Sequence, residues 1–159
     1  MPSGFAGTFS EVTSPTSTGP GGGTVDNLLV FLTTSCVSCR EHWGSLAATQ
    51  VELAPGAQLV VVTPSRSMED ELLARSMTPA GAYLHMSSDT WFMYGVAQAG
   101  TSVLVRSRRQ GPPPWAEAGD VLGTAAPSDL GRLPDLVRSW RSRTPSGAAT
   151  SGGPRSRGN

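Results

Sequence analysis

A continuous apolar run followed closely by two cysteines constrains the fold of this chain more than any other feature. Residues 28–32 (LLVFL) predict a strand buried on both faces, and they lead to Cys36 and Cys39 in the motif Cys-Val-Ser-Cys. A strand that passes into a helix here places the first sulfur at the helix N-terminus, where unpaired backbone N–H groups favour a thiolate. The second sulfur follows one turn later. The pair therefore predicts a redox dithiol.

The count of cysteines and charges excludes several other classes of protein. Cys36 and Cys39 are the only cysteines, so a four-cysteine zinc cage and a separate disulfide framework are excluded. The formal net charge is zero, so we predict no nucleic-acid partner. The dithiol chemistry requires no bound cofactor, and we predict none. No apolar run is long enough to cross a bilayer and no export signal is recognisable. We therefore expect no membrane segment and a cytoplasmic location for the chain as supplied.

Predicted strands and helices alternate along the chain. Strands are predicted at residues 28–34, 59–63, 83–86, 102–106 and 115–122, and helices at 36–53, after Ser67, after Ser88 and from Ser128 to Trp140. This order predicts an α/β fold with a central mixed β-sheet flanked by helices. The domain is expected to span residues 25–143. Residues 1–24 and 144–159 are rich in Gly, Ser and Pro and are predicted to be a flexible N-terminal segment, with a short edge strand near 5–12, and a disordered tail.

Two serines are predicted to cap helices close to the dithiol. Ser35 directly precedes the first predicted helix and is expected to be its N-cap. Ser67 is expected to cap the second helix. The acids Glu69, Asp70 and Glu71 would then lie in its first turn, where the helix dipole explains them without catalysis.

The order of elements resembles the thioredoxin-like fold. Residues 31–39 (FLTTSCVSC) are similar to the Phe-Leu-x-x-x-Cys-x-x-Cys stretch of TlpA- and MauD-type thiol–disulfide oxidoreductases, and residues 59–64 and 94–96 resemble later landmarks of that family. The resemblance implies that Cys36 is the nucleophile and that Cys39 resolves the mixed disulfide. It also implies protein partners that carry disulfides or dithiols, together with an external reductant or oxidant. Relatives are often membrane-tethered or extracytoplasmic.

Two positions depart from the pattern of that family. Gly100 falls at about the place where the family carries a cis-proline facing the dithiol, and glycine constrains the substrate-docking loop less than proline. The strand before the motif is apolar over residues 28–32, so it lacks the buried acid that thioredoxin has there. Proton transfer from Cys39 would then use water or another group.

Three neighbours of the motif are candidates for tuning the thiols or facing the substrate. A positive charge on Arg40 or His42 would lower a thiol pKa if the side chain faced the motif, and the Ser35 hydroxyl could act on the thiolate. Trp43 is expected to anchor the core.

Alternatives to a dithiol oxidoreductase remain open from the sequence. The glycine at 100 and the missing acid also suit a thioredoxin-fold interaction module without catalysis. A metal site could combine Cys36, Cys39 and His42 with His85 as a distant fourth ligand. Within the oxidoreductase interpretation the direction of electron flow is open, because related dithiols span roughly 150 mV.

Overall fold

The computed structural model describes residues 23–53 and 56–143, which build a five-stranded sheet and its covering helices. The strands are β1 (Thr24–Phe31), β2 (Ala57–Thr63), β3 (Tyr83–Met86), β4 (Ser102–Arg108) and β5 (Asp120–Ala125). The α-helices are α1 (Arg40–Leu53), α2 (Glu71–Met77), α3 (Ser88–Met93) and α4 (Leu133–Arg143), and short 3₁₀ turns occupy Val37–Cys39, Arg66–Met68 and Pro127–Arg132. The predicted edge strand at 5–12 and most of both predicted flexible segments lie outside the described residues.

The sheet is mixed, with strand order β3-β2-β1-β4-β5. β1 pairs in parallel with β2, and β2 pairs in parallel with β3. β4 runs antiparallel to both β1 and β5. The central position of β1 explains its apolar sequence, because a strand with neighbours on both edges and helices on both faces contacts no water. The predicted α/β class with a central mixed sheet is confirmed.

The side chains of β1 alternate between two cores. Leu28 and Val30 pack with residues of α1 and α4, whereas Leu29 and Phe31 pack against the opposite face, with α3 and Trp115. This alternation follows from the two-residue period of an extended strand. The C-terminal end of β1 is therefore fixed from both sides, and the loop that carries the cysteines starts from a rigid point.

The closing hairpin and last helix begin later than predicted. The expected strand at 115–122 is wrong at its start, because Trp115 lies in the loop and packs on the sheet. The expected helix from Ser128 starts as a 3₁₀ turn, and α4 begins only at Leu133. Pro134 then lies in the first turn of α4, where its missing N–H breaks no helical hydrogen bond.

The cap of α2 also differs from the prediction. Asp70, and not Ser67, is the N-cap residue, and its Oδ1 accepts a hydrogen bond from the Leu73 N–H at 3.0 Å. Asp70 competes well for this role because its carboxylate also interacts favourably with the helix dipole. Glu69 is therefore extended and lies outside the helix.

An acidic side chain is buried near the start of β1. Asp26 is only 3% exposed and receives hydrogen bonds from Arg106 Nε at 2.7 Å and Arg141 Nε at 2.8 Å. These ion pairs join β1, β4 and α4. Asp26 lies five residues before the end of β1, about 16 Å away at the usual rise of a strand. It is thus remote from the cysteines. The predicted strand starts at residue 28 and lacks a buried acid, whereas β1 starts at Thr24 and includes Asp26; residues 28–32 carry no acid. Within the described ranges no helix is long and apolar enough to cross a membrane.

Candidate dithiol site

The two cysteines lie where the chain turns from β1 into α1. Cys36 has extended backbone angles and directly precedes the 3₁₀ turn, and the Cys39 N–H donates to the Cys36 carbonyl at 3.2 Å. Both thiols are free. Cys36 is half-buried, whereas Cys39 is 1% exposed. The motif therefore presents one accessible sulfur and keeps the other in the core.

Ser35 does not cap the helix, contrary to the prediction. The N-cap position belongs to Cys36 and has no side-chain hydrogen bond to the turn. The Ser35 hydroxyl lies instead 3.1 Å from Thr33 Oγ1 on the exposed side of the loop. The serine that contacts a sulfur is Ser38, whose Oγ lies 3.3 Å from Cys36 Sγ. The sequence contains Ser38 inside the motif, but spacing alone did not show which sulfur it would contact.

The pKa values of the two thiols are shifted in opposite directions. Hydrogen bonds from the Cys39 thiol, and next from the Ser38 hydroxyl, lower the pKa of Cys36. Burial raises the pKa of Cys39 to about 12, and its hydrogen bond to Cys36 acts in the same direction. A thiolate is the nucleophile in disulfide exchange. The environment thus favours the nucleophilic form at Cys36 and the protonated form at Cys39.

Glu69 anchors the loop between β1 and the cysteines, a role that the sequence did not indicate. Its Oε1 accepts hydrogen bonds from the Thr34 N–H at 2.8 Å and the Thr34 hydroxyl at 2.6 Å, and its Oε2 accepts from the Thr33 hydroxyl. The charge of Glu69 also contributes to the raised pKa of Cys39. The prediction that Glu69 belongs to a helical first turn is wrong, because the helix starts after Asp70.

Arg40 and His42 differ sharply in exposure. Arg40 is exposed and lines a pocket that includes Cys36. His42 is buried, and neither of its ring nitrogens has a hydrogen-bond partner among the described residues. Trp43 is a core residue, as expected, and its Nε1 donates to the Thr33 carbonyl at 3.5 Å. Arg40 and Trp43 therefore shape the surroundings of Cys36, and His42 lies inside the protein.

Gly100 occupies a tight position that selects glycine. Its φ of +99° lies in the region that L side chains rarely adopt, and its N–H donates to the Phe31 carbonyl at 2.6 Å. A Cβ at this position would lie 2.9 Å from Pro127 Cβ and 3.0 Å from His42 Nε2. Proline requires φ near −65°, so the backbone at Gly100 does not accommodate the residue that the family places at about this point.

Replacing Gly100 by alanine should lower the free energy of unfolding by about 2–4 kcal/mol, because backbone strain and overpacking add. Urea denaturation of both proteins measures this. The control is Gly44→Ala in α1, where an added Cβ meets no atom within 4 Å and should stabilise by about 0.5–1 kcal/mol. Equal midpoints for the two variants would contradict the role assigned to Gly100.

The metal alternative has no geometric support in the part of the chain that the structure describes. There, no group of three His, Cys, Asp or Glu side chains could bind a metal ion. His85, the proposed distant ligand, lies on β3, with its Nε2 3.0 Å from Thr90 Oγ1 and its ring against Trp115.

Comparisons with known proteins agree with this architecture. No family model matches the sequence, and no curated protein matches it significantly. Among solved structures, a protein assigned as thiol:disulfide interchange protein DsbE from Chlorobium tepidum has a TM-score of 0.54 at 22% identity, covering 73% of this chain and 79% of that chain. A protein assigned as a thioredoxin from Neisseria meningitidis has a TM-score of 0.52 at 19% identity, with coverages of 79% and 81%. StoA from Bacillus subtilis has a TM-score of 0.50 at 17% identity, with coverages of 76% and 85%.

These similarities establish the class of fold. The chain has a thioredoxin-like fold, as the sequence resemblance implied. Cys36 and Cys39 have the spacing of a Cys-x-x-Cys motif and lie between β1 and α1 of that fold.

Proposed function

We propose that this protein exchanges disulfides with protein partners through Cys36 and Cys39, within the domain formed by residues 25–143. The observation that carries the proposal is the asymmetry of the two sulfurs, one accessible with a lowered pKa and one buried with a raised pKa. That asymmetry suits a nucleophile followed by a resolving thiol. The resemblance to TlpA- and MauD-type oxidoreductases and the interchange protein among the structural neighbours support the same activity.

The proposed reaction transfers two electrons from the dithiol to a partner disulfide. The Cys36 thiolate attacks one partner sulfur, a mixed disulfide forms, and the other partner sulfur leaves as a thiolate and takes a proton from water. Cys39 then attacks Cys36 Sγ, which forms the Cys36–Cys39 disulfide and releases the second partner sulfur. The proton of Cys39 ends on that leaving sulfur. An external dithiol restores the reduced pair, and the reverse sequence oxidises a partner dithiol.

Cysteine variants should separate the two steps. With dithiothreitol as the reductant, the wild type is expected to accelerate insulin disulfide reduction, and Cys36→Ser is expected to show only the background rate because the nucleophile is absent. Cys39→Ser should lose turnover. When it is reduced first and then freed of dithiothreitol, it should accumulate a mixed disulfide with insulin, since neither Cys39 nor an external thiol resolves it. Non-reducing electrophoresis and mass spectrometry detect that adduct. Background rates in all three proteins would instead favour a non-catalytic interaction module.

A further inference from the structure

A small pocket opens beside the accessible sulfur. Its volume is about 100 Å³, enough for one aliphatic side chain, and it lies between the dithiol loop, α1 and α2. The residues that line it are Thr34, Cys36, Arg40, Trp43, Leu73 and Met77. The pocket therefore shares Cys36 with the proposed reaction, and its other walls come from elements that this reaction does not use.

Trp43, Leu73 and Met77 form the apolar walls of the pocket, and Thr34 and Arg40 are its polar walls. Leu73 and Met77 lie on α2, and Leu73 stays 42% exposed although it is a large apolar side chain. Trp43 supplies a rigid wall, because its ring is buried and its indole N–H is bonded to the loop. Arg40 is exposed, and its backbone N–H donates to the Val37 carbonyl, but its side chain makes no hydrogen bond or ion pair with another described residue. Its guanidinium is thus available to a carboxylate from a partner.

We infer that this pocket binds the side chain next to the reacting cysteine of a partner protein and selects an aliphatic residue, with an acidic residue beside it for Arg40. The inference rests on the proposed function. In the mixed disulfide, the partner backbone crosses the surface at Cys36, so the neighbouring side chain lies within reach of the pocket. Transfer of an aliphatic side chain from water to walls of Leu, Met and Trp is favourable, and a polar side chain gains nothing there.

Single-turnover reactions with defined disulfides test this inference. The reduced protein reacts with bis(2-hydroxyethyl) disulfide, which has no side chain, and with disulfide dimers of three blocked peptides, Cys-Leu-Glu, Cys-Ser-Glu and Cys-Leu-Gln. Second-order rate constants come from acid quenching and mass spectrometry. We expect the Leu peptide to react about tenfold faster than the Ser peptide. The Glu peptide should react faster than the Gln peptide by a factor that falls as salt is added.

Neighbouring leucines on α2 provide the matched variants. Leu73→Ser should remove most of the preference for the Leu peptide. Leu73→Ala keeps an apolar residue at position 73 and should reduce that preference. Leu72→Ser is the control, because Leu72 is 81% exposed and does not line the pocket. Arg40→Gln should abolish the preference for Glu over Gln. The reaction with bis(2-hydroxyethyl) disulfide should change little in Leu72→Ser, because Leu72 lies outside the pocket.

The outcomes distinguish this inference from the proposed function. If the wild type reacts with all four disulfides but treats Leu and Ser peptides alike, the pocket has no selectivity and the inference is overturned while the exchange activity stands. Loss of the Leu preference in Leu72→Ser to the same extent as in Leu73→Ser also overturns it. If even bis(2-hydroxyethyl) disulfide fails to react, the exchange activity is absent and the inference falls with it.

Discussion

Replacing Asp26 by alanine is expected to lower the free energy of unfolding by about 3–5 kcal/mol. The carboxylate is almost fully buried and receives hydrogen bonds from Arg106 and Arg141, so its removal leaves two partly buried guanidinium groups without their shared counter-charge. This loss is a large share of the total stability of an ordinary domain. Because the three residues belong to β1, β4 and α4, the effect should appear as cooperative destabilisation of the whole domain.

An exposed ion pair in the same protein provides the control. Glu71 pairs with Arg66 and Arg75 on the surface of the protein, where water and salt screen the charges, so Glu71→Ala should destabilise the protein far less than Asp26→Ala. Urea denaturation at neutral pH measures both variants, and Asp26→Asn replaces Asp26→Ala if the alanine variant does not fold. A loss at Asp26 no larger than that at Glu71 would show that the buried pairs do not stabilise the fold.

The pH dependence of stability tests the same ion pairs. Burial raises the pKa of Asp26, but the hydrogen bonds and charges of Arg106 and Arg141 outweigh it and hold the pKa below the usual 3.8. A carboxyl group with a lowered folded-state pKa stabilises above its unfolded pKa, and this contribution is lost as the pH falls through the folded pKa. The wild type should therefore lose more stability than Asp26→Ala between neutral pH and the acid range.

The buried strands could be predicted because burial on both faces leaves a direct mark on the sequence. Residues 28–32 and 59–62 are apolar without interruption, and both runs lie at the centre of the sheet. Trp115 misled the prediction of β5, because an aromatic residue that covers a sheet from a loop is indistinguishable in sequence from one that starts a strand. Only the tertiary packing of Trp115 decides between these two structures.

The composition of the dithiol site could be predicted, but its organisation could not. The spacing of Cys36 and Cys39 is local, and a strand followed by a helix places them together. Glu69 anchors the dithiol loop through hydrogen bonds to Thr33 and Thr34, which lie more than thirty residues earlier in the chain. It is outside the helix because Asp70, and not Ser67, is the N-cap residue. Two residues with similar capping propensity do not reveal from sequence alone which of them starts the helix.

Alkylation of the reduced protein should distinguish the two sulfurs by rate. At neutral pH, iodoacetamide is expected to modify Cys36 and leave Cys39 unmodified. Burial, and next the hydrogen bond to Cys36, raise the pKa of Cys39 to about 12, so its thiolate fraction at neutral pH is far smaller than that of an ordinary thiol. The rate for Cys36 should rise with pH to a midpoint below 9.0, since its pKa is lowered. Peptide mapping by mass spectrometry gives both rates.

Variants of the residues that donate hydrogen bonds to Cys36 test the cause of its lowered pKa. Cys39→Ala removes the largest contribution to the lowered pKa of Cys36, so the midpoint of its alkylation should rise, and Ser38→Ala should raise it less. Cys39→Ser keeps a hydroxyl donor and should stay closer to the wild type. Equal labelling of both cysteines in the wild type, or an unchanged midpoint in Cys39→Ala, would contradict the asymmetry. In the proposed reaction, Cys39 must lose its proton to resolve a mixed disulfide, so resolution should be the step that accelerates most as the pH rises.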